Sequence, residues 1–360
     1  MNKELKRYFR TLWQSVIFWT MALFLWGIFR FYGLGETDGV HIDPDFQEPM
    51  KIQNLLRLFT FAGILVGLIF ANIEFFFDKY TSHKLSMGLR VFFKSVLYVL
   101  TVIAISTVTK ELATIRFNLE INNDHGWWWE DKMFRAALVY ILLVSVVFSF
   151  VKIANEKFGK GVFLKMLLGR YKKPQEEKRI FMFLDLRSST TIAETLGHFK
   201  YSQLIQDCFY DLNDIVPKYA AEIYQYVGDE AVLSWPYKKG LADNNCVALF
   251  FEFQNLLLQK APYYKEKYGL IPEFKAGLHG GKLMVAEVGV VKKELAFHGD
   301  VINTSARIQA ECNKYNVPIL ISEKLKDDLH ESNLYAMKHI GNVLLKGKHN
   351  TVNIFTLSEN

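Results

Sequence analysis

The sequence predicts an α-helical membrane domain of four transmembrane helices, followed by an α+β domain outside the bilayer. Two observations carry this prediction: four long apolar stretches precede residue 155, and strand and helix patterns alternate after residue 179. Of the 360 residues, 51% are hydrophobic and 22% are charged, which excludes a disordered chain. The net charge of +6, from 43 basic and 37 acidic residues, is too small to indicate a nucleic-acid partner.

Each of the four apolar stretches approaches the ~20 residues that cross a bilayer as a helix. They cover residues 12–31, 58–77, 91–109 and 136–154, so we assign residues 1–154 to the membrane domain. The first stretch is too long for a signal peptide and no small-residue cleavage site follows it. Basic residues cluster before the first stretch, between the second and third, and after the fourth. They predict a multi-pass protein of the inner (plasma) membrane with both termini in the cytoplasm.

The membrane helices carry few features that point to a function of their own. We expect no buried acidic or histidine relay within them, which disfavours a transporter. Lys94 is expected to extend its amine towards the inner headgroups. Trp127, Trp128 and Trp129 are interpreted as an interfacial belt, with a ligand lid as the alternative. Two roles stay open for the four helices: an anchor with dimer contacts, or a sensor of a lipid, a membrane state or a small ligand.

Residues 155–178 are predicted to be a linker and signalling helix. Phe158, Val162 and Met166 recur every four residues, as in a short amphipathic helix that ends at Pro174. The basic residues beside the membrane suit anionic lipid, so membrane lipids are an expected partner. The three cysteines, which all follow residue 200, show no CxxC spacing and are interpreted as reduced, buried thiols of a cytosolic domain.

Residues 179–360 form the second predicted domain. An apolar strand ends at Asp185, and Ser188, Ser189 and Thr190 then open a helix. Gly228-Asp229 joins two apolar runs as a tight hairpin turn. Residues 243–268 are interpreted as helical, and strands, a helix and a strand follow. A ferredoxin-like β-α-β-β-α-β core is the simplest arrangement of these elements.

Two groups of polar residues stand out in this domain. Asp185 and Asp229 meet if their strands are neighbours, and two carboxylates beside a Ser/Thr-rich turn suit Mg²⁺ bound to a triphosphate. Each aspartate taken alone is equally typical of a cap or turn. Asn303 and Arg307 lie four residues apart on one helix face, where an amide and a guanidinium suit a ribose and a phosphoryl group. A solvated helix face is the alternative.

These segments together resemble a known family. In order, they are FLDLRSST, YQYVGDE, GLHGGKLMVAEVG, HGDVINTSARI and LLKGKHNTVNIFTL. Over about residues 178–357 they resemble the catalytic domain of the class III nucleotidyl cyclases, the adenylate/guanylate cyclase family. The membrane half resembles the anchors of bacterial membrane cyclases only in type.

The resemblance implies a reaction and a set of roles. Asp185 and Asp229, with the backbone carbonyl of Leu186, match the ligands of two Mg²⁺ ions, with Mn²⁺ as an alternative. ATP would be converted to 3′,5′-cyclic AMP and pyrophosphate by in-line attack of the ribose 3′-OH. Asn303 matches the residue that orients the ribose, and Arg307 matches the one that stabilises the transferring phosphorus.

The resemblance also implies how substrate is held. Lys275 stands where the family often has a phosphate-binding arginine. Lys346 or Lys348 would reach the terminal phosphates, and the turn of Ser188, Ser189 and Thr190 would contact the triphosphate. Because the family builds each site from two catalytic domains, and this chain holds both halves, a homodimer with two equivalent sites is expected.

Two positions depart from the pattern of adenylate cyclases. Gln225 and Ala296 stand where those enzymes usually have a lysine and an aspartate or threonine that read the base. Gln225 can donate and accept, so we expect adenine to be read through Gln225 and the backbone. A cyclase for GTP or a pyrimidine nucleotide stays open, as do a catalytically silent nucleotide-binding receptor and a transporter or scaffold with a cytosolic tail. A diguanylate cyclase fits poorly, because Val227 replaces the first glycine of its GG(D/E)EF signature.

Overall fold

The structure is a computed structural model of the 360-residue chain. It describes residues 3–33, 52–81, 85–117, 126–158, 162–291, 293–330, 334–347 and 350–360. The chain divides into two compact units, Met1–Lys157 and Phe158–Asn360. Each unit is described by itself below.

The first unit consists of long helices, four of which contain the predicted apolar stretches and extend beyond them at both ends. Its helices are α1 (Lys3–Gly33), α2 (Ile52–Thr81), α3 (Met87–Phe117), a short α4 (Trp127–Glu130) and α5 (Lys132–Phe158). Helices α1, α2, α3 and α5 contain segments of 23 to 27 residues with mean hydropathy between 1.6 and 2.4. These segments are long and apolar enough to cross a bilayer, which confirms the four predicted membrane helices.

Two glycines let α1 and α2 pack closely. A Cβ built on Gly63 would lie 2.6 Å from the Cα of Thr20, and one on Gly67 would lie 2.6 Å from the Cα of Val16. Their spacing of four residues puts both glycines on one face of α2, so only hydrogen atoms separate the two backbones there. This is the small-residue contact typical of membrane helices.

The expectation that the membrane helices hold no buried acidic relay was wrong, because one of them carries a buried, ion-paired glutamate. Glu74 lies inside the second apolar stretch and is 0% exposed. It accepts hydrogen bonds from the Tyr98 hydroxyl at 2.6 Å and the Lys94 amine at 2.8 Å, and it pairs with Lys152. Window-averaged hydropathy conceals one carboxylate among apolar neighbours, and two lysines from other helices offset the cost of its burial.

Lys94 binds carboxylates inside the bundle, and its expected extension towards the headgroups stays a prediction. Its side chain is 8% exposed and lies within 2.5 Å of an oxygen of Asp78 as well as bonding Glu74. Trp127 is buried and donates through Nε1 to the Thr107 hydroxyl at 3.1 Å, and the interfacial belt stays a prediction. Trp129, by contrast, is 65% exposed.

The second unit opens with a short helix and then alternates strands and helices. Its helices are α6 (Val162–Leu167), α7 (Ser189–Ile215), α8 (Tyr237–Leu241), α9 (Asn245–Gln259), α10 (Ala261–Tyr268), α11 (Asp300–Tyr315) and α12 (Glu323–Asp328). Its strands are β1 (Gln175–Leu186), β2 (Glu222–Val227), β3 (Glu230–Pro236), β4 (Phe274–Val288), β5 (Glu294–His298), β6 (Ile319–Ser322), β7 (Tyr335–Val343) and β8 (Val352–Glu359).

The predicted linker helix ends earlier than expected. Helix α6 stops at Leu167 rather than at Pro174. Gly169 adopts the left-handed conformation, with φ of 70°, and the amides of Gly169 and Arg170 bond back to the carbonyls of Met166 and Lys165. A left-handed glycine with such backward bonds terminates a helix without need of the proline.

One mixed sheet forms the centre of the second unit, in the order β2-β3-β1-β4-β6-β8-β7, with β5 paired to β4. The pairs β2–β3, β3–β1 and β1–β4 are antiparallel, which confirms the ferredoxin-like core. Alternate residues of β1 enter opposite cores: Ile180, Met182 and Leu184 join the main cluster with α7, α9 and α10, and Phe181 joins a smaller one on the other face.

Candidate active site

Two aspartates meet where β1 ends and the β2–β3 hairpin turns. In the antiparallel ladder of β1 and β3, Asp185 stands opposite Glu230, and Asp229 precedes Glu230 in the turn. Gly228 has φ of 61°, a conformation that suits glycine in a tight hairpin turn. The local strand and turn signals thus bring Asp185 and Asp229 to one edge of the sheet.

The carboxylates at this edge disfavour one another's charge. Burial, with the charge of Asp229, raises the pKa of Asp185, while Lys275 and Gln309 act in the opposite direction. Burial and the charges of Asp185 and Asp229 raise the pKa of Glu230 to about 7. Crowded carboxylates of this kind favour a bound cation, because a cation relieves their mutual repulsion.

One oxygen of Asp185 is already held by the protein. Gln309 donates to Asp185 Oδ2 at 2.9 Å, and the Lys275 amine lies 3.1 Å from the same atom. Lys275, which is 7% exposed, also donates to the Asn313 side chain at 3.2 Å. Among the described residues nothing bonds the other oxygen, Oδ1, so it stays available for a ligand.

The contact of Gln309 with Asp185 could not be predicted from the sequence. Its contact with Asp185 requires α11 to lie directly on β4, which happens at Gly277. A Cβ on Gly277 would lie 2.2 Å from the Gln309 backbone nitrogen. Gly277 is the first glycine of GLHGGKL, and the sequence does not show which helix approaches it.

The Ser/Thr-rich turn follows β1 directly. Leu186, the last residue of β1, is buried, and the Arg187 amide bonds the Glu273 carbonyl at 2.8 Å. Ser188 adopts a left-handed conformation, with φ of 53°, and its side chain does not cap α7, which begins at Ser189 and continues through Thr190. A non-glycine residue in this region is mildly strained, a feature that concentrates at functional sites.

Asn303 and Arg307 share one face of α11, as their spacing predicts. Asn303 is exposed and Arg307 is half-buried. A Cβ on Gly347 would lie 3.4 Å from an Arg307 guanidinium nitrogen, so the exposed Lys346 belongs to the turn beside Arg307. Lys348 lies outside the described residues.

The two halves of the predicted site do not meet in one chain. Gln309, which bonds Asp185, follows Arg307 by two residues and is therefore rotated by about 200° around the helix axis. The face of α11 that carries Asn303 and Arg307 thus points away from the carboxylates.

The two predicted base-reading positions lie on strands that do not pair with each other, because β2 pairs with β3 and β5 pairs with β4. Gln225 is exposed on β2, just after a bulge, and Ala296 is half-buried on β5, opposite Ala286 of β4. The residues beside them, Tyr224 and Phe297, contact each other edge to face with ring centroids 4.8 Å apart. Lys275, predicted to bind phosphate, instead lies inside the same chain against Asp185, and its role towards substrate stays a prediction.

Comparison with known proteins decides the family. Residues 171–359, more than half of the chain, match the family model described as adenylate and guanylate cyclase catalytic domain. The chain belongs to this family. Its sequence motifs and its ferredoxin-like core agree with this assignment, as does the resemblance to the class III cyclases.

Relatives of this cyclase family member extend the comparison. The chain is 35% identical over 221 residues to adenylate cyclase 2 of Rhizobium meliloti (strain 1021), and spans 61% of that protein's length. A bacterial light-regulated adenylyl cyclase superposes with a TM-score of 0.52 at 17% identity, covering 60% of this chain and 63% of that one. The adenylyl cyclase CyaB from P. aeruginosa gives a TM-score of 0.44 at 19% identity, covering 52% and 97%.

Cyclases of this family generally use divalent metal ions. The described residues contain no cluster of three or more His, Cys, Asp or Glu side chains that could hold a metal by themselves. The oxygens of Asp185 and Asp229 nevertheless fit Mg²⁺, which binds through one or two carboxylates and takes its other ligands from substrate phosphates and water.

Proposed function

We propose that this chain is a membrane-bound adenylate cyclase that converts ATP to 3′,5′-cyclic AMP and pyrophosphate. The observation that carries the proposal is the convergence of Asp185 and Asp229 at one sheet edge of a family member. The 35% identity to an adenylate cyclase supports ATP as the substrate.

Each residue has a defined task in this reaction. Asp185, Asp229 and the Leu186 carbonyl would hold two Mg²⁺ or Mn²⁺ ions. When bound, these ions neutralise the triphosphate and favour ionisation of the ribose 3′-OH. Asn303 orients the ribose so that its 3′-oxygen faces the α-phosphorus in line with the leaving pyrophosphate.

The remaining residues act on the phosphates. Arg307 stabilises negative charge on the transferring phosphoryl group as the new P–O bond forms and the bond to pyrophosphate breaks. Lys346 or Lys348, the backbone amides of the turn at Ser188, Ser189 and Thr190, and Lys275 are the candidates for holding the β- and γ-phosphates.

A homodimer would complete the site. The carboxylates and the Asn303–Arg307 face point in different directions from one chain, which supports a site shared between two chains. A two-fold axis would then create two equivalent sites, each with carboxylates from one protomer and the Asn303–Arg307 face of its partner.

Adenine is the base that we propose. Gln225 can accept from the adenine amino group and donate to a ring nitrogen, while Ala296 contributes only its backbone. We further propose that the four helices hold the chain in the plasma membrane with the catalytic unit in the cytoplasm, where ATP and reducing conditions are found.

The direct test is product analysis with purified full-length protein. We expect cyclic AMP and pyrophosphate from ATP, in preference to products from GTP, CTP or UTP, with Mg²⁺ or Mn²⁺. Asp185→Ala should lower the rate by a factor of about 10³ or more, and Asp327→Ala, which removes an exposed carboxylate, should not. Faster turnover of another nucleotide would show that the enzyme selects a base other than adenine. The absence of product from every nucleotide would favour a catalytically silent nucleotide-binding receptor.

A further inference from the structure

A small polar cavity lies between three helices of the membrane unit. Its volume is about 30 Å³, and its polar walls come from the end of α2, the start of α3 and the end of α5. These polar residues are Asp78, Arg90, Lys94, Ser149 and Lys152. The volume exceeds the ~10–15 Å³ that one water needs, so the cavity admits a small polar group.

Polar atoms in its wall lack partners. Ser149 is 6% exposed, and its Oγ makes no hydrogen bond with any described residue. The Nε of Arg90 is also buried without a partner, and no described carboxylate pairs with Arg90. Buried polar atoms are nearly always hydrogen-bonded, so these unmet donors indicate that something else occupies the cavity.

The charges around the cavity select an anion. Lys94 and Lys152 are offset by Glu74 and Asp78, which leaves the guanidinium of Arg90 as excess positive charge. The cavity also faces the first turn of α3, a helix of 31 residues that begins at Met87. The N-terminus of a long helix adds partial positive charge.

The position of the cavity along the membrane helices indicates which kind of anion it binds. The apolar segments of α2 and α5 end at Thr81 and Asn155, and that of α3 begins at Met87. The cavity residues stand within about two turns of these segment ends, near the level at which a bilayer places its headgroup phosphates. Arginine is the side chain best suited to bind phosphoryl oxygens.

We propose that this cavity binds a phosphoryl group, through Arg90, Ser149 and the start of α3, and that the group belongs to an anionic lipid headgroup. Free inorganic phosphate has the same chemistry and is the other source. The site lies in the membrane unit, so a test of this proposal does not depend on whether the cyclase activity is confirmed.

Lipid binding to the full-length protein in a non-ionic detergent tests this. The probe is fluorescently labelled phosphatidylglycerol, and labelled diacylglycerol, which lacks the phosphate, is its control. We expect saturable binding of phosphatidylglycerol alone, weakened about tenfold by Arg90→Gln. Lys79→Gln, which removes an exposed positive charge at the same end of α2, should change binding less than twofold.

Ser149→Ala separates binding from a structural role. If nothing binds, removing an unpartnered buried hydroxyl should leave thermal stability unchanged or raised. If the hydroxyl donates to a phosphoryl oxygen, the same variant should weaken phosphatidylglycerol binding about fivefold while retaining stability. This variant decides the matter even where Arg90→Gln fails to fold.

Each outcome has a fixed meaning. Displacement of phosphatidylglycerol by micromolar inorganic phosphate would support the phosphoryl site and make the soluble anion its occupant. Equal binding of phosphatidylglycerol and diacylglycerol, or equal binding by wild type, Arg90→Gln and Ser149→Ala, would overturn the proposal.

Discussion

One carboxylate oxygen of Asp185 accepts from two side chains that come from different elements, Gln309 on α11 and Lys275 on β4. These donors restrict the rotation of the carboxylate and leave its other oxygen, Oδ1, without a hydrogen bond from the described residues. Groups that orient a metal-binding carboxylate usually affect metal affinity and activity strongly. Gln309 is therefore a positioning residue for the proposed metal site.

Gln309→Ala should raise the Mg²⁺ concentration needed for half-maximal cyclase activity by about tenfold. Lys275 would still pair with Asp185, so the activity at saturating Mg²⁺ should fall less. Initial rates across a Mg²⁺ titration measure both effects, and Lys314→Ala, an exposed position on the same helix, is the control. An unchanged Mg²⁺ dependence would show that Gln309 has no such role.

The three cysteines are free and buried, as predicted. Burial raises the pKa of Cys208, Cys246 and Cys312 to about 12 each. Because a raised thiol pKa leaves the neutral form dominant below it, the reactive thiolate is scarce at pH 8.

A thiol reagent such as DTNB should therefore modify none of the three cysteines of the native protein within minutes at pH 8. The same reagent should modify three per chain after denaturation. The absorbance of the thiolate released from DTNB gives the number of modified cysteines per chain. Rapid labelling of the folded protein would contradict the burial described above.

At the scale of elements, the contact of α1 with α2 depends on Gly63 and Gly67. Lipid tails are as apolar as the helices, so helix association in a bilayer relies on close packing rather than on the hydrophobic effect. Any side chain at these glycines would meet backbone atoms of α1, which cannot give way as a flexible side chain can.

Gly67→Leu should accordingly separate α1 from α2 and lower the free energy of unfolding by about 2 kcal/mol or more. Thermal unfolding in detergent, followed by the loss of helical circular dichroism, measures the change. The matched control is Gly88→Leu on α3, where a Cβ meets nothing within 4 Å. Equal melting temperatures for the two variants would contradict the close contact.

Elements with local signals could be predicted, and those that depend on distant partners could not. The ends of β1 and the Gly228-Asp229 turn follow from an apolar run and a turn dipeptide, which placed Asp185 beside Asp229. Strand β7 could not be predicted, because most of its residues are exposed or half-buried and form no apolar run.

The buried charges of the membrane unit illustrate the same limit. Glu74 stands among phenylalanines in the sequence, and its partners Lys94 and Lys152 follow 20 and 78 residues later. Only the packing of α2 against α3 and α5 brings the four charges of Glu74, Asp78, Lys94 and Lys152 together. A hydropathy profile therefore identifies α2 as a membrane helix but does not show this cluster of charges.

At the scale of the whole molecule, residues 155–178 connect the two units. We expect this linker to transmit changes between the helices and the catalytic unit of a dimer. Inserting one to four residues after Lys173 should change cyclase activity several-fold, with an effect that varies with the number inserted. The same residues added after Asn360 are the control, and constant activity across the series would refute the hypothesis.

The central claim is that two chains share each active site, and mixing two inactive variants tests it most directly. Asp185→Ala and Arg307→Ala chains, each carrying a different affinity tag, are co-expressed and isolated as heterodimers. We predict about half of the wild-type rate, because one of the two sites then contains an intact aspartate from one chain and an intact arginine from the other. Verified heterodimers that stay as inactive as either variant alone would contradict the claim.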